Sequence, residues 1–140
     1  MQKKILSLIL TLCMLLGMFP FVVGTSAADS TAAYTEIGTA DDLIALMGNS
    51  AGWAGNYRLT DDIDLTGKSG QACIGNDMTP FTGIFDGNGK TVSGVSLNIT
   101  GHKGVGFFGI VRDTEIRDLT VKGSVTSDTN FAGGMIGVIS

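Results

Sequence analysis

Three neighbouring carboxylates are the densest group of side chains that could do chemistry in this sequence. They are Asp61, Asp62 and Asp64. In an extended strand Asp62 and Asp64 point to one face, while Ile63 and Leu65 point to the other. Paired carboxylates on one face can bind a cation or transfer protons, but the same alternation is the ordinary pattern of a strand with one solvated face. We keep Asp62 and Asp64 as candidate ligand contacts, and the solvated strand is the simpler interpretation.

The remaining candidates are one imidazole and two guanidinium groups. His102 is the only histidine and stands between Gly101 and Lys103 in a predicted turn, where no motif places a nucleophile near it. Arg112 and Arg117 are suited to an anionic ligand, but acidic residues are interspersed between them, so mixed surface charge explains them more simply. We keep these three as candidate ligand contacts and predict no catalytic residue in this segment.

No pattern in the sequence indicates a metal or cofactor. Asp86-Gly87-Asn88-Gly89 superficially resembles a calcium loop, but the twelfth position is Leu97 where an EF-hand needs a bidentate glutamate. A tight Asn-Gly turn explains the segment better. Two cysteines and one histidine cannot build a structural zinc site, and no His-Glu-x-x-His signature occurs.

The elements that must position these residues begin after a segment that is typical of a secretory leader. A short basic start precedes the apolar run Ile5–Val23, and Thr25-Ser26-Ala27-Ala28 follows. This order predicts a signal peptide at residues 1–28 and a secreted or bacterial cell-surface protein that meets the membrane only during export. A retained transmembrane anchor is the alternative. Pro20 and the lack of a basic stop-transfer flank favour cleavage.

Removal of this leader makes the net charge of the chain more negative. Only two of its nine basic residues lie in the leader and none of its 13 acidic residues does, so the rest is strongly acidic. An acidic chain without a basic patch argues against nucleic-acid binding. Cys73 would then be the only cysteine. It is interpreted as a small buried apolar residue, with cross-linking to a partner as the alternative.

One helix and then a series of strands are predicted beyond the leader. Thr39 and Asp42 have the spacing of a capping box, and the apolar stripe that follows ends at Gly48, which predicts a helix at about residues 40–47. Short runs with alternating apolar residues follow, separated by turns rich in Asn, Asp and Gly, so the class is all-β after one helix. These runs are 57–59, 63–65, 91–99, 107–111 and 116–125.

The runs also repeat along the chain. Gly106–Val111 matches Gly134–Ile139 at the longest shift, and Val92–Leu97 matches Ile116–Val121 at a shorter one. A weaker copy, Gly83-Ile84-Phe85, precedes Gly106-Phe107-Phe108 at a similarly short shift. Periods of about 23 to 28 residues predict a solenoid. The need for close backbone approach between stacked turns explains the 21 glycines. The repeat-defining glycines are Gly83, Gly106, Gly109, Gly134 and Gly137.

The glycine-flanked segments carry a family resemblance. Gly106-Phe107-Phe108-Gly109 and Gly134-Met135-Ile136-Gly137 resemble the core of the GLUG motif of bacterial surface proteins. Tyr57–Leu65 and Pro80–Val92 resemble the lead-in of the same proteins, so the similarity runs from about Tyr34 to Ser140. Met135-Ile136, where Leu-Val types are usual, is a conservative departure. The resemblance implies a right-handed parallel β-helix of the pectin lyase-like kind in extracellular or wall-attached proteins linked to adhesion.

These expectations divide the chain and rank its functions. Residues 29–55 are predicted to form an N-terminal cap that contains the helix, and residues 56–140 the first coils of the β-helix. We expect the chain to be truncated after Ser140 or to need a partner there. The first hypothesis is a non-catalytic module for adhesion or ligand presentation, with a host or cell-wall glycan or protein as partner. The alternatives are the N-terminal part of a polysaccharide lyase or glycosidase, or a region of a surface peptidase.

Overall fold

The computed structural model describes residues 32–140, and the predicted signal peptide at residues 1–28 lies outside them. Tyr34–Ser140 forms one compact unit. Within the described part of the chain, no helix combines the length and the apolar character needed to cross a membrane.

The helix α1 spans Ala40–Gly48, where the sequence predicts one at about 40–47. Its capping box is complete, because Asp42 N–H donates to the Thr39 hydroxyl at 3.2 Å and Thr39 N–H donates to the Asp42 carboxylate at 3.1 Å. The helix buries one face, and a 3₁₀ turn, Ser50–Gly52, follows it. The buried residues are Leu43, Leu46 and Met47.

Within residues 32–140, nine short strands make up most of the remaining regular structure. They are β1 (Thr35–Ile37), β2 (Tyr57–Leu59), β3 (Ile63–Asp64), β4 (Ile84–Asp86), β5 (Thr91–Ile99), β6 (Phe108–Val111), β7 (Glu115–Arg117), β8 (Thr120–Ser127) and β9 (Ile136–Ile139). The order β1-β2-β4-β7 defines sheet A, β3-β5-β8 defines sheet B, and β6-β9 defines sheet C. All paired strands are parallel, so the chain is mostly parallel β-structure with one α-helix in its described part.

The chain visits the three sheets in a fixed order. From β4 it passes through sheets A, B and C as β4, β5 and β6, and then repeats the order as β7, β8 and β9. An earlier pass runs through β2 and β3 and reaches sheet C through single bridges, Ile74 to Phe108 and Phe81 to Val111. Each pass therefore adds one parallel strand or bridge to each sheet.

Strand register confirms the longest repeat found in the sequence. Phe108 pairs with Ile136 and Ile110 with Val138, which is the shift that relates the two glycine-flanked segments. The same separation joins Tyr57 to Phe85 across sheet A.

The two shorter shifts are wrong. Val92 pairs with Val121 rather than with Ile116, and Phe85 pairs with Ile116 rather than with a residue of the 107–108 segment. Alternating apolar and polar residues recur in several strands, so short segments match in several registers. The predicted run 116–125 also divides into β7 and β8 at Asp118, whose φ of 49° ends the extended conformation.

Apolar side chains from the three sheets meet in one core. Phe81, Phe85, Phe107 and Phe108 are fully buried, and their ring centroids lie 5.2–6.5 Å apart in tilted or edge-to-face pairs. The apolar face of α1 and Trp53 join the same cluster. The Trp53 indole N–H donates to the Leu46 carbonyl at 2.9 Å, so the ring is buried with its polar atom satisfied.

Between the last two passes of the chain, burial falls within the stacks of paired apolar residues. Phe85, Val92 and Phe108 are fully buried, whereas their partners one pass later, Ile116, Val121 and Ile136, are only half-buried. Removing apolar surface from water is the main stabilising contribution to folding. The last pass therefore gains less from burial than the pass before it.

Two glycine features of the sequence have direct structural causes. The Asn88-Gly89 turn has φ values of 51° and 71°, which is the tight turn expected from the Asn-Gly pair. A Cβ at Gly83 would overlap the Gly55 carbonyl, and one at Gly137 would lie 2.6 Å from the Val105 nitrogen. A Cβ at Gly134 would meet no atom within 4 Å, so close approach does not explain that glycine.

Candidate functional site

The five predicted contact residues do not converge. Asp62 and Asp64 lie at β3 in sheet B, Arg112 directly follows β6 in sheet C, and Arg117 ends β7 in sheet A. His102 is exposed in the loop between β5 and β6. The candidate residues therefore lie at separate places in the fold rather than in one site.

The two aspartates of sheet B serve backbone and hydroxyl groups. Asp62 accepts a hydrogen bond from the Thr91 N–H at 2.8 Å. Asp64 accepts from the Thr66 hydroxyl at 2.6 Å and the Thr66 N–H at 2.9 Å, and these bonds hold the pKa of Asp64 below its usual value. Both carboxylates are exposed, as expected for the solvated face of a strand.

Arg117 belongs to a row of charges across sheet A. Arg58, Asp86 and Arg117 occupy paired positions on three neighbouring strands, and we call this row the charged ladder. The Asp86 carboxylate accepts from Arg58 at 2.9 Å and from Arg117 at 3.0 Å. Its side chain is 7% exposed, whereas both arginines are 40% exposed. One buried carboxylate thus joins two half-exposed guanidinium groups.

Further groups contact the two arginines. The Arg58 guanidinium carbon lies 4.3 Å from the centre of the Tyr34 ring. Arg117 donates to the Tyr34 hydroxyl at 3.0 Å and to the Glu115 carboxylate at 2.9 Å. Both arginines of the ladder are therefore engaged by groups of the protein itself.

These contacts also determine the pKa of Asp86. Burial alone would raise the pKa, but hydrogen bonds from Arg117, the Asn88 N–H and Arg58 outweigh that effect and keep the pKa of Asp86 below its ordinary value. The bond to Asp86 is also the main cause of the raised pKa of Arg117. Interpreting residues 86–89 as an Asn-Gly turn misses Asp86 as a site residue. The available signal is that the longest repeat shift separates it from Arg58.

Arg112 lies at a surface cleft, outside the charged ladder. It lines a cleft of about 300 Å³ on the outer side of sheet C, which we call the sheet C cleft. The lining residues are Asp77, Lys103, Ile110, Arg112, Phe131, Val138 and Ser140.

The floor and wall of the sheet C cleft are apolar. Ile110 and Val138 are register partners on β6 and β9 and form its floor. A Cβ added at Gly104 would lie 3.0 Å from the Ile110 side chain and 3.1 Å from the Val138 side chain. Phe131 forms the wall, and it is 61% exposed despite its size.

The rim of the sheet C cleft is polar and carries more basic than acidic groups. Lys103 lies 3.4 Å from the Asp77 carboxylate. The Arg112 Nε donates to the Ser140 hydroxyl at 3.2 Å. Among the three arginines of residues 32–140, Arg112 alone makes no ion pair with a carboxylate. Its two terminal nitrogens make no hydrogen bond within residues 32–140.

A second cleft, of about 270 Å³, lies between α1 and strands β1 and β2. Two of its polar groups serve the fold, because Asp42 caps the helix and the Tyr57 hydroxyl donates to the Gly52 carbonyl.

Cys73 is a half-buried free thiol whose pKa is raised by burial. Within residues 32–140, no three His, Cys, Asp or Glu side chains are grouped so as to hold a metal ion.

Comparisons with known proteins give partial matches. No family model matches the chain, and no solved structure matches it significantly. The chain is 35% identical over 123 residues to halomucin of Haloquadratum walsbyi, which covers 76% of this chain and 1% of halomucin. It is also 32% identical over 81 residues to a putative Gly-rich membrane protein of Evansella cellulosilytica, which covers 54% of this chain and 9% of that protein. The chain thus spans a small fraction of the length of both relatives.

Proposed function

We propose that residues 34–140 form coils of a right-handed parallel β-helix of the GLUG type, with α1 covering one end. The observation that supports this proposal is the repeated A, B, C order of parallel strands, in which each strand from β2 to β6 pairs with its counterpart one pass later. In such a fold each coil buries its apolar face only against its neighbours. The aligned pairs of apolar residues are what that packing requires.

The function that we propose is a non-catalytic module of a secreted or surface-attached protein, used in adhesion or ligand presentation. The candidate carboxylates support it, because Asp62, Asp64 and Asp86 all bond to groups of the fold itself. The relatives support the location, because one is described as a Gly-rich membrane protein and the other as halomucin. A segment that matches a small part of long relatives is suited to be one unit among several.

Glycan binding by the purified full chain, measured together with glycan cleavage, tests this function. The chain is applied to a glycan array and to immobilised mucin, and the same glycans are assayed for released reducing ends and for the ultraviolet absorbance of unsaturated uronates. We expect saturable binding with no cleavage product. The variant Asp64→Asn and its matched surface control Asp118→Asn should bind as the wild type does.

Two results would contradict the proposal. Product release that Asp64→Asn abolishes and Asp118→Asn retains would identify a carbohydrate-active enzyme. Failure to bind any glycan and the mucin surface would remove the adhesive role.

A further inference from the structure

We propose that the sheet C cleft binds a carboxylate-bearing sugar, with the carboxylate on Arg112 and the sugar ring against Phe131. The inference rests on the proposed function, because it names a ligand class for the module. It is carried by the combination of an arginine that pairs with no carboxylate of residues 32–140, an exposed aromatic ring and a mixed polar rim around one cleft.

The carboxylate position follows from the geometry of Arg112. Its Nε is held by the Ser140 hydroxyl at 3.2 Å, which orients the guanidinium plane beside the cleft. The terminal nitrogens make no hydrogen bond with any group of residues 32–140. A planar guanidinium matches the two oxygens of a carboxylate better than an ammonium group does. Arg112 can therefore take one carboxylate without giving up a bond within the protein.

The apolar surfaces of the cleft suit the C–H face of a sugar ring. Phe131 is one of the few large apolar side chains of residues 32–140 that are mostly exposed. It lines the same cleft as Ile110 and Val138. An aromatic ring buries a large area on contact at a small cost in side-chain entropy. A ring-shaped ligand that lies on this floor would cover Phe131 without any change in the backbone.

The Lys103 and Asp77 pair favours a polyhydroxylated ligand over a fatty acid. Lys103 supplies hydrogen-bond donors and Asp77 supplies acceptors, and both side chains are exposed. Sugar hydroxyls can bond to both groups, whereas the hydrocarbon chain of a fatty acid can bond to neither. A cleft of about 300 Å³ lies at the lower end of ligand pockets, so it suits a single terminal sugar.

A titration with two sugars that differ in one group tests the inference. The isotope-labelled full chain is titrated with methyl β-glucuronide and with methyl β-glucoside, and amide chemical shifts are followed by NMR. We expect saturable shifts at Gly104, Ile110 and Phe131 with the glucuronide. The glucoside, which lacks the carboxylate, should bind at least about fivefold more weakly because the charge-assisted bonds to Arg112 are lost.

Matched variants locate the binding site. Arg112→Gln and Phe131→Ala should each weaken glucuronide binding by at least about fivefold. Lys122→Gln removes an exposed cation of sheet B, and Met78→Ala removes an apolar side chain that is 95% exposed outside the cleft. Neither control should change the dissociation constant. Because all four side chains are exposed, the variants should fold as the wild type does.

Four results would overturn the inference. They are the absence of saturable shifts, equal affinity for the two sugars, unchanged affinity in Arg112→Gln, and tighter binding of acetyl-valyl-phenylalanine, a peptide with a free terminus. Any of them leaves the wider function intact if the glycan array still shows binding without cleavage. The proposed function fails separately, through product release or through the loss of all binding to the array and the mucin surface.

Discussion

Arg117 and Arg112 show two different uses of an arginine in the same molecule. Arg117 stands in the charged ladder, where the buried Asp86 carboxylate, Glu115 and Tyr34 take its donors. Arg112 stands at the sheet C cleft, where, among residues 32–140, its side chain hydrogen-bonds only to the Ser140 hydroxyl. A buried carboxylate must be paired, because an isolated buried charge is costly. We therefore assign Arg117 to the stability of the fold and propose Arg112 for ligand binding.

Removal of the Asp86 carboxylate, which the two arginines of the ladder share, should cause the largest loss of stability. Asp86→Asn leaves two guanidinium groups facing a neutral amide, and we expect the free energy of unfolding to fall by about 2 kcal/mol. Chemical denaturation followed by circular dichroism measures it. Asp118→Asn is the matched control, since Asp118 is exposed and Asn tolerates its φ of 49°. Equal stabilities of the two variants would show that the ladder does not stabilise the fold.

The pH dependence of stability should separate the same two variants. The folded pKa of Asp86 lies below its unfolded value of about 3.9, so the unfolded chain binds the proton more readily. The stabilisation is therefore present above about pH 4 and is lost as the pH falls through the folded pKa. Thermal unfolding of Asp118→Asn should show this loss on acidification. Asp86→Asn should show a shallower one, and parallel profiles would contradict the assignment.

Substitution of each arginine should show that Arg117 contributes more to stability than Arg112 does. Arg117→Gln should lower the midpoint of thermal unfolding, because Asp86 then keeps only Arg58 as an ion-pair partner. Arg112→Gln should change the free energy of unfolding by less than about 0.5 kcal/mol, as is usual for exposed side chains. Differential scanning calorimetry of both variants checks this. A larger loss in Arg112→Gln than in Arg117→Gln would reverse our assignment of the two roles.

The sequence was sufficient for the helix, the parallel repeat and the Asn-Gly turn. Each depends on a signal with few competing interpretations. Thr39 and Asp42 have the capping-box spacing, and the matched segments at 106–111 and 134–139 share two glycines as well as apolar residues. A match of that length fixes one register, and the structure pairs the two segments in it.

The charged ladder and the sheet C cleft could not be predicted from the sequence, and the reasons are physical. Asp86 directly precedes a turn, and its burial depends on Arg58 one pass earlier and Arg117 one pass later. Arg112 and Phe131 meet only because their strands and loops lie side by side on sheet C. The two shorter repeat shifts were wrong predictions, because brief apolar patterns recur in several strands. Pairing between distant residues, rather than local propensity, decides all three cases.

Cross-linking of register partners tests whether each pass of the chain adds one parallel strand or bridge to each sheet in a fixed register. In the full chain carrying Cys13→Ser and Cys73→Ser, the exposed pair Ser96→Cys and Ser124→Cys occupies partner positions on β5 and β8. Neighbouring strands lie about 4.8 Å apart, which a disulfide can span. The control pair, Ser96→Cys with Thr120→Cys, reproduces the shorter shift that would align Val92 with Ile116.

Mild oxidation followed by peptide mapping under non-reducing conditions gives the answer. We predict an intramolecular disulfide in the Ser96 and Ser124 pair and none in the control, because Thr120 pairs with Thr91 at the other end of β5. A disulfide that forms only in the control pair, or equally in both, would contradict the register. The sheets that position the charged ladder and the sheet C cleft would then be wrong as well.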